Sequence, residues 1–338
     1  MRRLAAAELV AIPLACALLA AGCSAGEQTD ELQVVSNPVA ATAAVSPAPV
    51  AAPAGTVLTD SGPGTVVTAA VTTARTLAVA VQDPPSVRLY NLDDLTVPAR
   101  SIPLPGQVER ITGSGNELLA SLPAQHRLAR INLPGGQVTE VPVAGQPASA
   151  RDVQGQTLVA LRDRKAVEVL AADGPPKDIS GQLYSADDVF DTGNGTLVLD
   201  RLRTALFAVD LAGGKVGEGL RAGDGAANAT TDSYGRVLVT DARGGSLLAF
   251  SADPLLLRQR YPVPGGIYGI AYDAKRSLAW VTLTERNEVV GYDIRGGEPV
   301  EKHRFPTIRQ PNTVTVDEQT ARVVVGSAAG EGIQVIQP

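Results

Sequence analysis

The sequence predicts an all-β fold, a seven-bladed β-propeller, on three observations. First, one strand-like apolar run recurs seven times, centred on Leu77, Leu118, Leu158, Leu197, Val237, Leu278 and Val323, at spacings of 39 to 45 residues. A period of 40 to 45 residues holding four short strands is the signature of propeller blades, whereas helical repeat arrays show a shorter period and helical periodicity. Second, the 338 residues combine 44% hydrophobic content with 34 Gly, 24 Pro and only 4% aromatics. Apolar mass supplied by small and β-branched residues, broken by many turn formers, suits short strands better than long helices. Third, the array has an extra strand at its start and lacks one at its end, as a closed ring requires.

The template unit is Thr230 to Ser251, TTDSYGRVLVTDARGGSLLAFS. Each unit opens on a small-residue turn, as at Pro105-Gly106, Ala144-Gly145, Ser180-Gly181, Ala222-Gly223 and Pro264-Gly265. An inner strand follows, such as Ile267 to Tyr272, then a turn, then the marker strand (VLVTD, LAWVT, VVVGS). The third strand alternates apolar and polar residues, as in LARINL, LFAVDL and VVGYDI, which is the pattern of a half-buried strand. Paired glycines at 135–136, 213–214 and 296–297 then reverse the chain into a more irregular outer strand.

The ends predict how the ring shuts. The last unit stops at Pro338 after Ile333 to Ile336, without an outer strand. Thr56 to Thr59 precede a Gly-Pro-Gly turn and the first inner strand, read as Thr65 to Val71. Val57 and Leu58 are therefore expected to complete the last blade, removing an exposed sheet edge. The lone Trp280 is expected to pack between blades.

The inner strand, the Asp-containing turn and VLVTD with Asp232 and Asp241, followed by LLAF, resemble NHL-type and YVTN-type propeller repeats from Val57 to the C-terminus. WD-repeat propellers are disfavoured, because no Gly-His or Trp-Asp dipeptide recurs.

The N-terminus supplies an address. Met1-Arg2-Arg3 and the apolar run Leu9 to Ala21 read as a signal peptide over residues 1–22, too short to span a bilayer comfortably. Leu19-Ala20-Ala21-Gly22-Cys23 resembles the lipobox of bacterial lipoproteins, in which the cysteine carries the lipid. That resemblance implies lipidation of Cys23, palmitate included, and an extracytoplasmic, membrane-anchored or periplasmic protein. With the propeller, the chain resembles lipoproteins of actinobacterial envelopes. Cys16 would leave with the signal peptide, so no thiol catalysis, redox CxxC or thiolate metal site is expected. Residues 23–55, polar and then Ala/Pro/Val-rich, are expected to form a disordered tether holding the domain roughly 30 Å from its anchor.

The formal charge of −6 becomes −7 once Arg2, Arg3 and Glu8 are removed, which argues against a nucleic-acid partner. Only His126 and His303 are present, both in polar loops by this reading, and neither G-x-S-x-G nor HExxH occurs. Gly213-Gly214-Lys215 lacks the spacing of a phosphate loop and reads as a turn. Asp232, Asp273 and Asp317 recur after the inner strand, where Asp bonds turn N–H groups, so they are read as turn chemistry before a calcium ring. The residue opening the inner strand is Gln107, Gln146, Gln182 and Gln310 in four units and Asp224 in a fifth. With Tyr268 and Asn312 these form the candidate ligand-binding set at the channel mouth, suited to a polar ligand such as a glycan. No catalytic residue, metal or cofactor is assigned, and a monomer is expected. The leading function is a lipid-anchored binding or scaffolding module for an envelope protein or glycan, or an accessory subunit on a membrane complex. The alternatives are a metal-dependent, lactonase-like propeller hydrolase and a quinone-dependent dehydrogenase.

Overall fold

The structure is a computed structural model that describes residues 36–338 except 62 and 173. It is a closed ring of seven four-stranded antiparallel sheets. The inner strands of blades one to seven are Val67–Thr73, Arg110–Ser114, Pro147–Val153, Asp188–Asp191, Ala226–Thr231, Ile267–Asp273 and Pro311–Asp317. The marker runs are the second strands, from Thr76–Val81 in blade one to Arg322–Ser327 in blade seven. Their burial is close to complete because they lie mid-sheet, covered by blades on both faces. The first inner strand begins two residues later than expected, and Thr65 instead makes an isolated parallel bridge to Glu331.

Packing explains the ring. Among the described residues, seven clusters of buried apolar residues occur, one at each blade-to-blade contact. Trp280, 1% exposed, packs with Val314, Val316 and Val323 between blades six and seven. His303 stacks on it at 5.5 Å between ring centroids. It therefore lies half-buried on the outer strand Val300–Pro306 instead of in the solvated loop that its charged neighbours suggested. His126 is in a turn, with φ of 54°.

The seam joins the two ends of the chain. Thr56–Val57 forms the outer strand of blade seven, pairing Thr56 with Val335 and Val57 with Gln334. The Leu58 amide donates to the Ile333 carbonyl at 2.9 Å, and its side chain joins Val67, Leu77, Val324 and Ile333 in the core between blades seven and one. Gly332, at φ +85°, lets the strand approach this segment, since a Cβ there would lie 1.8 Å from the Ser61 carbonyl oxygen. On the opposite face Arg75 of blade one pairs with Asp317 of blade seven at 2.9 Å.

The recurring acids serve turns. Asp232 Oδ1 accepts from the amides of Tyr234 and Arg236, Asp273 from that of Arg276 and Asp317 from that of Gln319. Asp241, on the other face, accepts from the amides of Asp224, Gly225 and Gly244.

Candidate functional site

The inner strands surround a channel with two chambers. The upper, about 600 Å³, lies on the face of the inter-blade connections; the lower, about 510 Å³, opens among the turns that follow the inner strands. Ala70, Arg110, Ile111, Asp188, Ile270 and Val314 border both chambers.

Charge in the upper chamber is balanced between blades, both neighbouring and non-adjacent. Arg162 Nε donates to Asp187 at 2.7 Å, and its two remaining nitrogens grip Glu109. Burial works against the charged guanidinium, but the Glu109 and Asp187 bonds outweigh it and raise its pKa. Asp187 is itself held by the Ser185 hydroxyl and the Arg201 amide. Arg110 pairs with the buried Asp188 at 3.2 Å and donates to Asn228 Oδ1 at 3.3 Å. Asn228 Nδ2 in turn donates to the Tyr268 carbonyl. Below, Arg151 donates to the Val189 carbonyl, and burial holds its pKa under the ordinary value.

The structure divides the sequence-predicted set. Gln107, Tyr268 and Asn312 line the upper chamber together. Gln146 and Gln182 are exposed on the same face but do not line the chamber. Asp224 is also outside it, exposed and 3.5 Å from Arg221. Gln310 is outside it too, engaged by the backbone of Ala44 and Ser46. Cys23 and the signal peptide lie outside the described residues. Among the described residues no three His, Cys, Asp or Glu side chains converge as metal ligands would.

Sequence reasoning missed the charged lining. Arg110, Asp188 and Asn228 occupy the innermost strands of blades two, four and five, two repeats and then one repeat apart. Charged or amide side chains recurring at the repeat spacing within the inner strands are the signal that would have found them.

It also missed a strap. Residues 38–49 have no helix, strand or turn, in keeping with their composition, yet they lie against the upper face. Val39 and Ala41 carbonyls accept from Arg243 and Arg201, both at 2.5 Å. Gln310 brackets the next stretch: its Oε1 accepts from the Ser46 amide at 2.9 Å while its Nε2 donates to the Ala44 carbonyl at 2.8 Å. The Ser46 hydroxyl donates to the Thr284 carbonyl, and Asn287 donates to that of Pro47. The tether read over residues 23–55 is thus tied down from Val39 onward on blades four to seven.

No family model matches the sequence, and no curated protein does. Solved structures match in fold. A streptogramin B lyase superposes with a TM-score of 0.69 at 11% identity, covering 82% of this chain and 95% of its own. Hydrazine synthase of Kuenenia stuttgartiensis gives 0.68 at 14%, covering 82% and 96%. The WD40 propeller domain of Doa1 gives 0.67 at 15%, covering 85% and 97%. At these identities the likeness is one of fold: the chain is a seven-bladed β-propeller, and propellers host unrelated functions.

Proposed function

We propose that this protein is a non-enzymatic binding module, held by a lipid on Cys23 at the extracytoplasmic face of a membrane, that takes a neutral polar ligand at the upper channel mouth. The observation that carries the ligand class is the internal neutralisation of the chamber. Arg162 is engaged by Glu109 and Asp187, Arg110 by Asp188, and Arg201, the third cation of the lining, by the Ala41 carbonyl, so three guanidiniums face three carboxylates and the lining carries no net charge to attract an ion. The side-chain amide of Gln107 can both donate and accept, the amides of Asn228 and Asn312, already bonded to Arg110, the Tyr268 carbonyl and Gln310, keep further donor capacity, and the aromatic residue Tyr268 lines the same chamber. Amides beside an aromatic ring suit the hydroxyls and the apolar face of a sugar, which supports a cell-wall glycan as the ligand.

The address rests on the lipobox-like run before Cys23, and the finer resemblance to actinobacterial NHL- or YVTN-type lipoproteins belongs to this same reading. Enzymatic chemistry has less support. A histidine-to-alanine variant of virginiamycin B lyase from Staphylococcus aureus, also similar in fold at 13% identity, is catalytically inactive. Neither histidine of the present chain lines either chamber: His126 sits on a turn and His303 on an outer strand. The proposal is tested by a thermal-shift screen against soluble oligosaccharides released from bacterial cell walls. A hit should raise the melting temperature of the unaltered chain and lose its effect in Gln107→Ala and Tyr268→Ala; hits that ignore both substitutions would sink it.

A further inference from the structure

The strap is recognised almost wholly through its main chain. Arg243, Arg201 and Asn287 meet backbone carbonyls, and Gln310 reads an amide and a carbonyl two residues apart. Main-chain bonds with one or two side-chain sockets are how proteins commonly capture linear peptides. Two sockets exist here. Ala41 is 1% exposed, and its methyl group faces Gly225, where an added Cβ would come within 3.0 Å of it. Ser46, 7% exposed, is fixed by its hydroxyl, which donates to the Thr284 carbonyl and accepts from the Gln310 amide. Residues 36–55 carry no charged side chain, so nothing but small groups and backbone is being read.

We infer that the upper face of blades four to seven is a binding groove for a linear, uncharged, small-residue polypeptide. The chain's own residues 39–47 are its resident occupant, and a partner protein presenting alanine and serine five residues apart displaces them. Covalent connection gives the strap a high effective concentration, so the partner must present its segment at close range or in many copies. The groove adjoins the channel mouth, because Arg201 belongs to both and Gln310 Nε2 also bonds Asn312 Oδ1 at 3.0 Å. The inference does not depend on what the channel binds.

The test uses the full chain and a fluorescent peptide with the sequence of residues 38–49, PVAATAAVSPAP, followed by anisotropy. Ala41→Arg cannot seat its side chain against Gly225 and should open the groove; Ser46→Asp, which turns a carboxylate toward the Thr284 carbonyl, opens it independently. Both opened chains should bind the peptide saturably, at least about tenfold more tightly than the unaltered chain, a difference of about 1.4 kcal/mol. Adding Gln310→Ala should weaken that binding about tenfold or more. Thermal melts identify which opened chains are folded. Failure of the folded opened chains to bind, affinity equal to that of the unaltered chain, or indifference to Gln310→Ala each overturns the inference. Peptide binding is read separately from the glycan screen, so either can fail while the other succeeds.

Discussion

Truncating Leu58 to alanine isolates the seam that turns a row of blades into a ring. Leu58 is 7% exposed and is the apolar anchor of a closing segment with only two ladder pairs, Thr56 with Val335 and Val57 with Gln334. Leu58→Ala removes about three carbon groups from water-excluded contact, roughly 2.4 kcal/mol at about 0.8 kcal/mol each. The cavity left against Val67, Val324 and Ile333 adds to this, giving about 3 kcal/mol within the roughly 2–5 range of buried leucine truncations. At about 2–4 °C per kcal/mol for a large domain, the melting temperature should fall by about 6–12 °C. Calorimetry would measure it against Leu257→Ala, whose side chain is 44% exposed on the outer strand of blade five and which should melt like the unaltered chain. Deleting Thr56 to Thr59 should cost more, because it also bares the edge of Ile333–Ile336. A Leu58→Ala chain that melts with the Leu257→Ala control would refute closure by this segment.

Four further outcomes rest on the same structure. Gly332→Ala should destabilise by more than about 1 kcal/mol in chemical denaturation, since alanine is strained at φ +85° and its Cβ meets the Ser61 carbonyl. Glu168 is buried with Oε2 unpaired, and burial raises its pKa, so the ionised form opposes folding above that raised value and the penalty fades as pH falls toward the ordinary carboxylate range. Glu168→Gln should therefore raise the melting temperature at pH 7.5 and lose most of that gain near pH 4. For Asp317, burial is outweighed by bonds from Thr320 and Arg75 and the pKa is lowered; its stabilisation is present above the unfolded value of about 3.9 and lost as pH falls through the lower folded value, so the destabilisation by Asp317→Asn in melts should shrink below about pH 4. Cys23→Ala should move the protein from the membrane to the soluble fraction on cell fractionation, and an unchanged distribution would count against lipid anchoring.

The ring was legible because propeller blades repeat their chemistry. Leu118, Leu158, Leu197 and Val237 occupy one position in successive blades, and each is buried for the same reason. The bare end at Ile333–Ile336 and the spare strand at Thr56 made closure readable without any contact information. Turn acids such as Asp232 act within a few residues and were equally plain. The site was read only in part. Gln107, Tyr268 and Asn312 reach the chamber, but the ion pairs that set its charge join Arg162 to Glu109, 53 residues apart, and Arg110 to Asp188 across non-adjacent blades. The strap was hidden for a different reason. Its Ala/Pro/Val composition cannot form a core of its own, and it is ordered by side chains such as Gln310, 264 residues from Ser46, that bond its backbone.

The central functional claim is that a neutral polar ligand seats in the upper chamber. Isothermal titration of a purified cell-wall oligosaccharide, taken from the thermal-shift screen, into the unaltered chain and into Tyr268→Ala tests it most directly. Tyr268 lines the chamber, and its backbone carbonyl accepts from Asn228 and Thr240, bonds that truncating the side chain leaves in place, so the fold should survive the change. Saturable heat for the unaltered chain, with affinity at least about tenfold weaker in the variant, a loss of about 1.4 kcal/mol, is the predicted result. Equal affinities in two chains that melt alike would contradict it.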